Sequence, residues 1–146
     1  MMNKLNKKLE YALMVLGYLY GNPTFKVSTK EICEKTGSPF DATARVMQIM
    51  TQHGLLKSEQ GVKGGYTLVE DLQKISLLQL MEMILGPVEV AKCIGDTTGC
   101  ELFGRCNIQN PVHKINIRLK SFYADLAISE VLTVPTTFKQ VEYDRV

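Results

Sequence analysis

The sequence predicts a mainly α-helical chain with one small β-hairpin, extended by a long C-terminal helix. Three observations carry this expectation. Apolar residues recur at helical spacing over residues 5–20, a glycine-broken pair of short helical segments runs directly into a glycine-rich hairpin, and a heptad-spaced apolar seam begins after Pro111. The 146 residues are 45% hydrophobic and 22% charged, ordinary for one small globular unit with an attached oligomerisation element.

Leu5, Leu9, Ala12, Leu13, Leu16 and Leu19 form one face of the first helix, which Gly21-Asn22-Pro23 ends. Ser28-Thr29-Lys30-Glu31 is a capping-box pattern, with Ser28 accepting from the helix start and Glu31 reaching back. The short helix it opens runs to Thr36 and stops at Gly37. Ser38-Pro39 opens the third helix, with the hydroxyl at the N-cap and proline at the first helical position. Val46, Ile49, Met50 and His53 share its apolar face, and Gly54 closes it.

Leu55–Ser58 and Tyr66–Val69 read as strands joined by Glu59-Gln60-Gly61-Val62-Lys63-Gly64-Gly65. Two short helices and a glycine-containing turn, followed at once by a hairpin, are the layout of a winged helix-turn-helix DNA-binding domain. In that layout the third helix enters a major groove of double-stranded DNA and the wing lies against phosphate or minor groove. Candidate DNA-binding residues follow. Ser38 and the first turns of the third helix, Asp41, Ala42, Thr43, Ala44 and Arg45, face the groove. Arg45 suits a bidentate contact to guanine and Thr43 suits phosphate or a base edge. Asp41 caps the helix or accepts from cytosine N4. Lys57, Lys63, Gly64 and Gly65 suit phosphate by charge and close backbone approach.

Charge distribution agrees with this division. Residues 1–67 hold nine Lys/Arg against five Asp/Glu, a net of +4, and residues 68–146 hold eight against ten, a net of −2.

Ile75, Ser76 and Gln79 form a second staple and capping box, and the helix they open ends at Gly86-Pro87. Residues 88–110 show no periodicity and hold Cys93, Cys100 and Cys106, spaced C-x6-C-x5-C. Asn110-Pro111 starts the long helix, whose seam of Val112, Ile115, Leu119, Phe122 and Leu126 has the spacing of a dimer interface. The expected divisions are 1–86 for the winged helix-turn-helix domain, 87–110 for the cysteine-rich loop, 111–132 for the dimerisation helix with a short helix after it, and 133–146 for a flexible tail. No apolar run approaches the roughly 18 residues of a membrane span, and the N-terminus lacks a signal-peptide pattern. The expected location is the cytoplasm, without membrane contact, where structural disulfides are disfavoured.

The three loop cysteines therefore need another reason. Zinc prefers paired C-x2–4-C knuckles, which are missing here. An iron–sulfur cluster and a metal-free thiol redox switch remain, the cluster being favoured. Cys33 reads as a small buried hydrophobe. His53 and His113, the two histidines, have no nucleophile constellation around them, so no enzyme is expected.

Taken in order, several segments resemble the IscR/NsrR family of bacterial winged-helix iron–sulfur transcriptional regulators. They are Lys4-Leu5-Asn6-Lys7-Lys8 through Glu10-Tyr11-Ala12-Leu13, then Gly54-Leu55-Leu56-Lys57-Ser58, then the wing Gly61-x-x-Gly64-Gly65-Tyr66-x-Leu68, then Gly86-Pro87 with the three cysteines. The match covers roughly residues 4–132. The resemblance implies a homodimer on palindromic promoter DNA, with Cys93, Cys100 and Cys106 ligating a cluster near the dimer interface. Cluster state would then control promoter binding in response to redox change, nitric oxide, oxygen or cluster supply. Some members take a fourth ligand from a histidine three residues after the last cysteine; that position is Gln109 here, and His113 is a poor substitute. Others use a carboxylate on the partner subunit's first helix, and Glu10 occupies the matching position. The resemblance slightly favours a four-iron over a two-iron cluster. This chain departs from the pattern in its six-residue first gap and in Gln60, where many members have arginine.

Overall fold

The computed structural model describes residues 5–133. The first helix, α1 (Lys7–Gly21), starts two residues later than its apolar pattern suggests. Asn6 caps it by accepting from the Lys8 N–H, so Leu5 lies ahead of the helix and is exposed. Leu9, Ala12, Val15, Leu16 and Leu19 are its buried face. Helix α2 (Thr29–Thr36) has the expected cap, Ser28 accepting from the Glu31 N–H at 3.1 Å. The Glu31 carboxylate does not reach back to complete the box; it accepts from the Tyr18 hydroxyl at 3.2 Å and so ties α2 to α1. Gly37 ends α2 in the left-handed conformation, φ 74°, where a side chain would be strained.

Helix α3 (Phe40–Gln52) corrects two expectations. Its N-cap is Pro39, which has no side-chain cap to offer, while Ser38 is turned inward instead of capping. Its buried residues are Thr43, Val46, Met47 and Met50, and His53 is exposed beyond the helix end. The buried stripe thus includes a threonine and excludes the histidine.

The hairpin strands β1 (Leu56–Glu59) and β2 (Gly65–Leu68) pair antiparallel, Leu56 opposite Leu68 and Glu59 opposite Gly65. Val27, just before α2, bridges to Tyr66 through reciprocal backbone bonds of 3.0 and 2.8 Å, so the segment entering α2 lies beside the wing. Helix α4 (Leu77–Leu85) has the full capping box expected of Ser76 and Gln79. After it come a one-turn helix α5 (Lys92–Gly95) and a 3-10 turn at Thr97–Gly99, then α6 (Gln109–Asp125) and α7 (Ile128–Leu132).

One core joins α1, α2, α3, α4 and the wing base, with Leu9, Leu16, Ile32, Met47, Met50, Leu55 and Leu80 among its buried side chains. Ile128 of α7 belongs to this core as well. Its N–H donates to the Ile75 carbonyl at 2.8 Å, and Ser129 N–H donates to Leu72 at 3.1 Å. Although α7 follows the long helix in sequence, it packs with the N-terminal domain. The expected tail, from residue 134 on, lies outside the described residues.

Candidate DNA interface and cysteine loop

Burying Thr43, Val46, Met47 and Met50 leaves the opposite side of α3 to solvent. There Asp41, Arg45, Gln48 and Gln52 repeat at i, i+4, i+7 and i+11, one polar helical face. With Lys8 from α1 they line an open groove of about 750 Å³. No salt bridge among the described residues engages Asp41, Arg45 or Lys63. Arg45 therefore keeps its guanidinium donors available, and Gln48 adds a side chain of the type that pairs with adenine. Phe40, at the helix entrance, is 55% exposed. The sequence reading missed Lys8, Phe40, Gln48 and Gln52. For the glutamines, the i, i+4, i+7 spacing from Asp41 and Arg45 was the available signal.

Two expected DNA contacts are corrected. Thr43 is fully buried and its hydroxyl donates to Ser38 Oγ at 2.9 Å, while Ser38 is itself only 6% exposed. Neither side chain faces the groove.

In the wing, Lys63 stands at the tip beside the fully exposed Val62. Lys57 shares Glu59 with Lys26; Lys57 lies 3.4 Å from the carboxylate, and Lys26 hydrogen-bonds to it. That pairing, led by Lys26, holds the Glu59 carboxyl below the usual carboxylate range. The wing glycines have an internal reason as well. A Cβ on Gly64 would collide with the Glu59 carbonyl, and one on Gly65, at φ 148°, would press on the Val27 backbone at 3.1 Å.

The cysteines sit on the connection between α4 and α6. Cys93 lies in α5, Cys100 follows the 3-10 turn, and Cys106 precedes α6. All are free thiols of intermediate exposure. Three thiols on one loop match the donor chemistry of an iron–sulfur cluster. In this conformation they do not converge: among the described residues no three His, Cys, Asp or Glu side chains are placed to share a metal ion. Glu10 is 29% exposed in the first turn of α1 and forms an ion pair with Lys7, whose pKa rises, first through that hydrogen bond and then through the charge. Cys33 lies apart from the loop, on α2 within reach of Ser38, and is half-buried where a fully buried side chain was expected.

The loop is tied to the long helix by Asn116, the one buried residue of α6, whose Oδ1 accepts from the Val90 N–H at 3.1 Å. Lys120 adds a 2.9 Å ion pair with Glu82 of α4. Among the described residues, nothing covers the outer face of α6. Ile115, Leu119 and Phe122 are 53%, 36% and 59% exposed, with Val112 and Leu126 half-buried at the ends of the stripe.

A helix with one polar face exposed, seated on a buried core beside a basic-tipped wing, defines a DNA-binding regulator of the winged-helix class. Comparison with known proteins agrees. Residues 5–133 match the family Rrf2, described as iron-dependent transcriptional regulators. The HTH-type transcriptional repressor NsrR of Streptomyces coelicolor is 26% identical over 113 residues, covering 75% of this chain and 74% of that one. The HTH-type transcriptional regulator IscR of Klebsiella pneumoniae is 23% identical over 130 residues, covering 88% and 79%. The structure of CymR, the global cysteine regulator of B. subtilis, superposes with a TM-score of 0.69 at 19% identity, covering 90% of this chain and 97% of that one. The chain belongs to the Rrf2 family of transcriptional regulators, and its relatives are regulators, not enzymes. No helix among the described residues is long and apolar enough to cross a membrane.

Proposed function

We propose that this regulator binds palindromic promoter DNA as a homodimer, and that an iron–sulfur cluster on Cys93, Cys100 and Cys106 controls that binding. The observation that carries the proposal is the loop itself: three free thiols on the connection that Asn116 fastens to α6. The exposed stripe of Ile115, Leu119 and Phe122 supports α6 as the dimer seam, because an apolar helical face of this kind favours a partner. A dimer reads two half-sites at fixed spacing, so a change in the loop that shifts α6 against α4 alters how well both heads fit. Arg45, Asp41, Ala44 and Gln48 are the base-reading candidates, and Lys57, Lys63, Gly64 and Gly65 the phosphate-facing ones. Double-stranded DNA, the homodimer and a cytoplasmic setting follow from the same reading.

When bound, a cluster supplies a redox- and gas-sensitive centre whose charge and presence vary. Glu10 of the partner subunit is the candidate fourth ligand. A carboxylate there would have to release Lys7, and it holds iron less firmly than a thiolate. The family resemblance slightly favours four irons over two. A second reading, a metal-free cysteine-thiol regulator, is supported by the half-exposed and unconverged thiols.

Anaerobic native mass spectrometry with visible absorbance separates the two. Brown protein absorbing near about 400 nm, with a cluster mass on a dimer that is lost in Cys100→Ser, supports the cluster reading. Colourless, iron-free dimers that still change DNA affinity on thiol oxidation would establish the metal-free one.

A further inference from the structure

Helices α2 and α4 are each opened by a serine that caps the first turn, but α3 has no side-chain cap. Something else must fix how α3 leaves the turn. Thr36, Thr51 and Thr133 spend their hydroxyl protons on the carbonyl four residues back, at 2.7, 2.8 and 2.6 Å. Thr43 does not. The carbonyl four residues before it, Pro39, takes only the Thr43 backbone N–H, and the Thr43 hydroxyl donates across the turn to Ser38 Oγ.

The proton direction can be worked out along the whole chain of hydroxyls. The Ile32 carbonyl only accepts, so the Thr36 hydroxyl donates to it. Thr36 Oγ1 then accepts from Ser38 Oγ at 2.9 Å and from the Ser38 N–H at 3.3 Å. Ser38 Oγ in turn accepts from Thr43. Cys33 Sγ, 3.8 Å from Ser38 Oγ, is a weaker alternative acceptor for the same proton. Each hydroxyl donates once, and the relay runs from the first turn of α3 to the last turn of α2.

Burying such groups is costly unless they are bonded, and no buried side-chain nitrogen or oxygen among the described residues lacks a partner. A valine would fill the Thr43 site with nearly the same shape and without a hydroxyl to satisfy. The hydroxyl therefore contributes geometry. Thr43 lies between Asp41 and Arg45, on the opposite side of the helix, so the relay sets the angle at which they meet a base edge. Base readout tolerates errors of only about 0.5 Å.

We infer that Thr43, Ser38 and Thr36 are positioning residues that set the sequence discrimination of α3 without touching DNA. The inference rests on the reading that α3 is the helix that reads DNA. Its test uses the intact protein and a duplex selected by that protein from a random library, alongside a single-base variant and a random duplex of equal length. Thr43→Val is expected to lose about tenfold in affinity for the selected duplex, the worth of roughly one hydrogen bond, with random-duplex affinity unchanged. Discrimination against the single-base variant narrows accordingly. Thr43→Ser, which keeps the hydroxyl, is expected to stay within about twofold of the parent. Full discrimination in Thr43→Val, or an equal loss in Thr43→Ser, overturns the relay. Should Thr43→Val fail to fold, Ser38→Ala cuts the relay from the turn side and must show the same loss. Arg45→Ala is the control. If it also leaves discrimination unchanged, α3 is not the reading helix; if it narrows discrimination and Thr43→Val does not, only the relay is wrong.

Discussion

Between Ser28 and Leu55 the chain buries Ile32, Ser38, Thr43, Val46, Met47, Met50 and Leu55, whereas between Val88 and Ile108 it buries nothing. The first region is defined by core packing and a hydroxyl relay, the second by turns and a single clasp at Asn116. Both regions are needed by the proposed function, but they ask for opposite properties. A surface that reads bases needs its side chains held by a rigid support. A sensing loop needs local stability low enough for its state to change. In the proposed function the contrast would separate a reader from a sensor along the chain, with α4 and α6 as the connection between them.

The largest expected effect falls on that connection. Leu119→Glu places a charge in the exposed α6 stripe and should convert the proposed dimer to monomers that lose specific DNA binding; sedimentation velocity reports the change. A dimer that persists in Leu119→Glu would move the interface elsewhere. Next comes the asymmetry of stability. Met50→Ala, at a fully buried site in the reading head, should cost about 2–5 kcal/mol. Phe103→Ala, in the exposed loop, should stay within about 0.5 kcal/mol. Thermal denaturation of the two variants checks this, and equal losses would erase the contrast.

A smaller effect is expected of Glu10→Ala, which should leave three thiolate donors in place but give a more labile centre with a shifted visible spectrum. Cys33→Ala, on α2 and away from the loop, should leave that spectrum unchanged. The smallest effect concerns the wing. The Glu59 carboxyl is held below its ordinary value of 4.5 by Lys26. The sign follows: with the folded pKa depressed, the pairing stabilises the wing base above that value and is lost as the pH falls through the lowered one. Glu59→Gln should mimic the loss at neutral pH as slightly faster hydrogen exchange in β1 and β2, with α3 unaffected. Identical exchange in the variant would make the pair irrelevant to the wing.

Much of the reading head was legible because its signals are local. The Ser28 and Ser76 caps, the Gly37 stop and the hairpin glycines each act within a few residues. What escaped depends on distant parts of the chain. The Val27–Tyr66 bridge joins segments far apart in sequence, and Glu31 bonds to Tyr18 instead of its own cap. Thr43 misled because a polar residue in the first turns of a recognition helix suggests contact with DNA, and only its partner Ser38 explains its burial. The exposed stripe of Ile115, Leu119 and Phe122 was visible from heptad spacing, since exposure is a property of one helix face. The arrangement of the cysteines was not: spacing names the donors, but their convergence depends on what lies beyond a single loop.

The most direct test is one DNA titration, on a duplex selected by the anaerobically purified protein, comparing it with a variant carrying Ser at Cys93, Cys100 and Cys106. If the loop controls the reader, affinity for the selected duplex changes by roughly 5–150-fold, the range of an allosteric coupling, while affinity for random DNA stays the same. Equal affinities for the selected duplex would contradict the account.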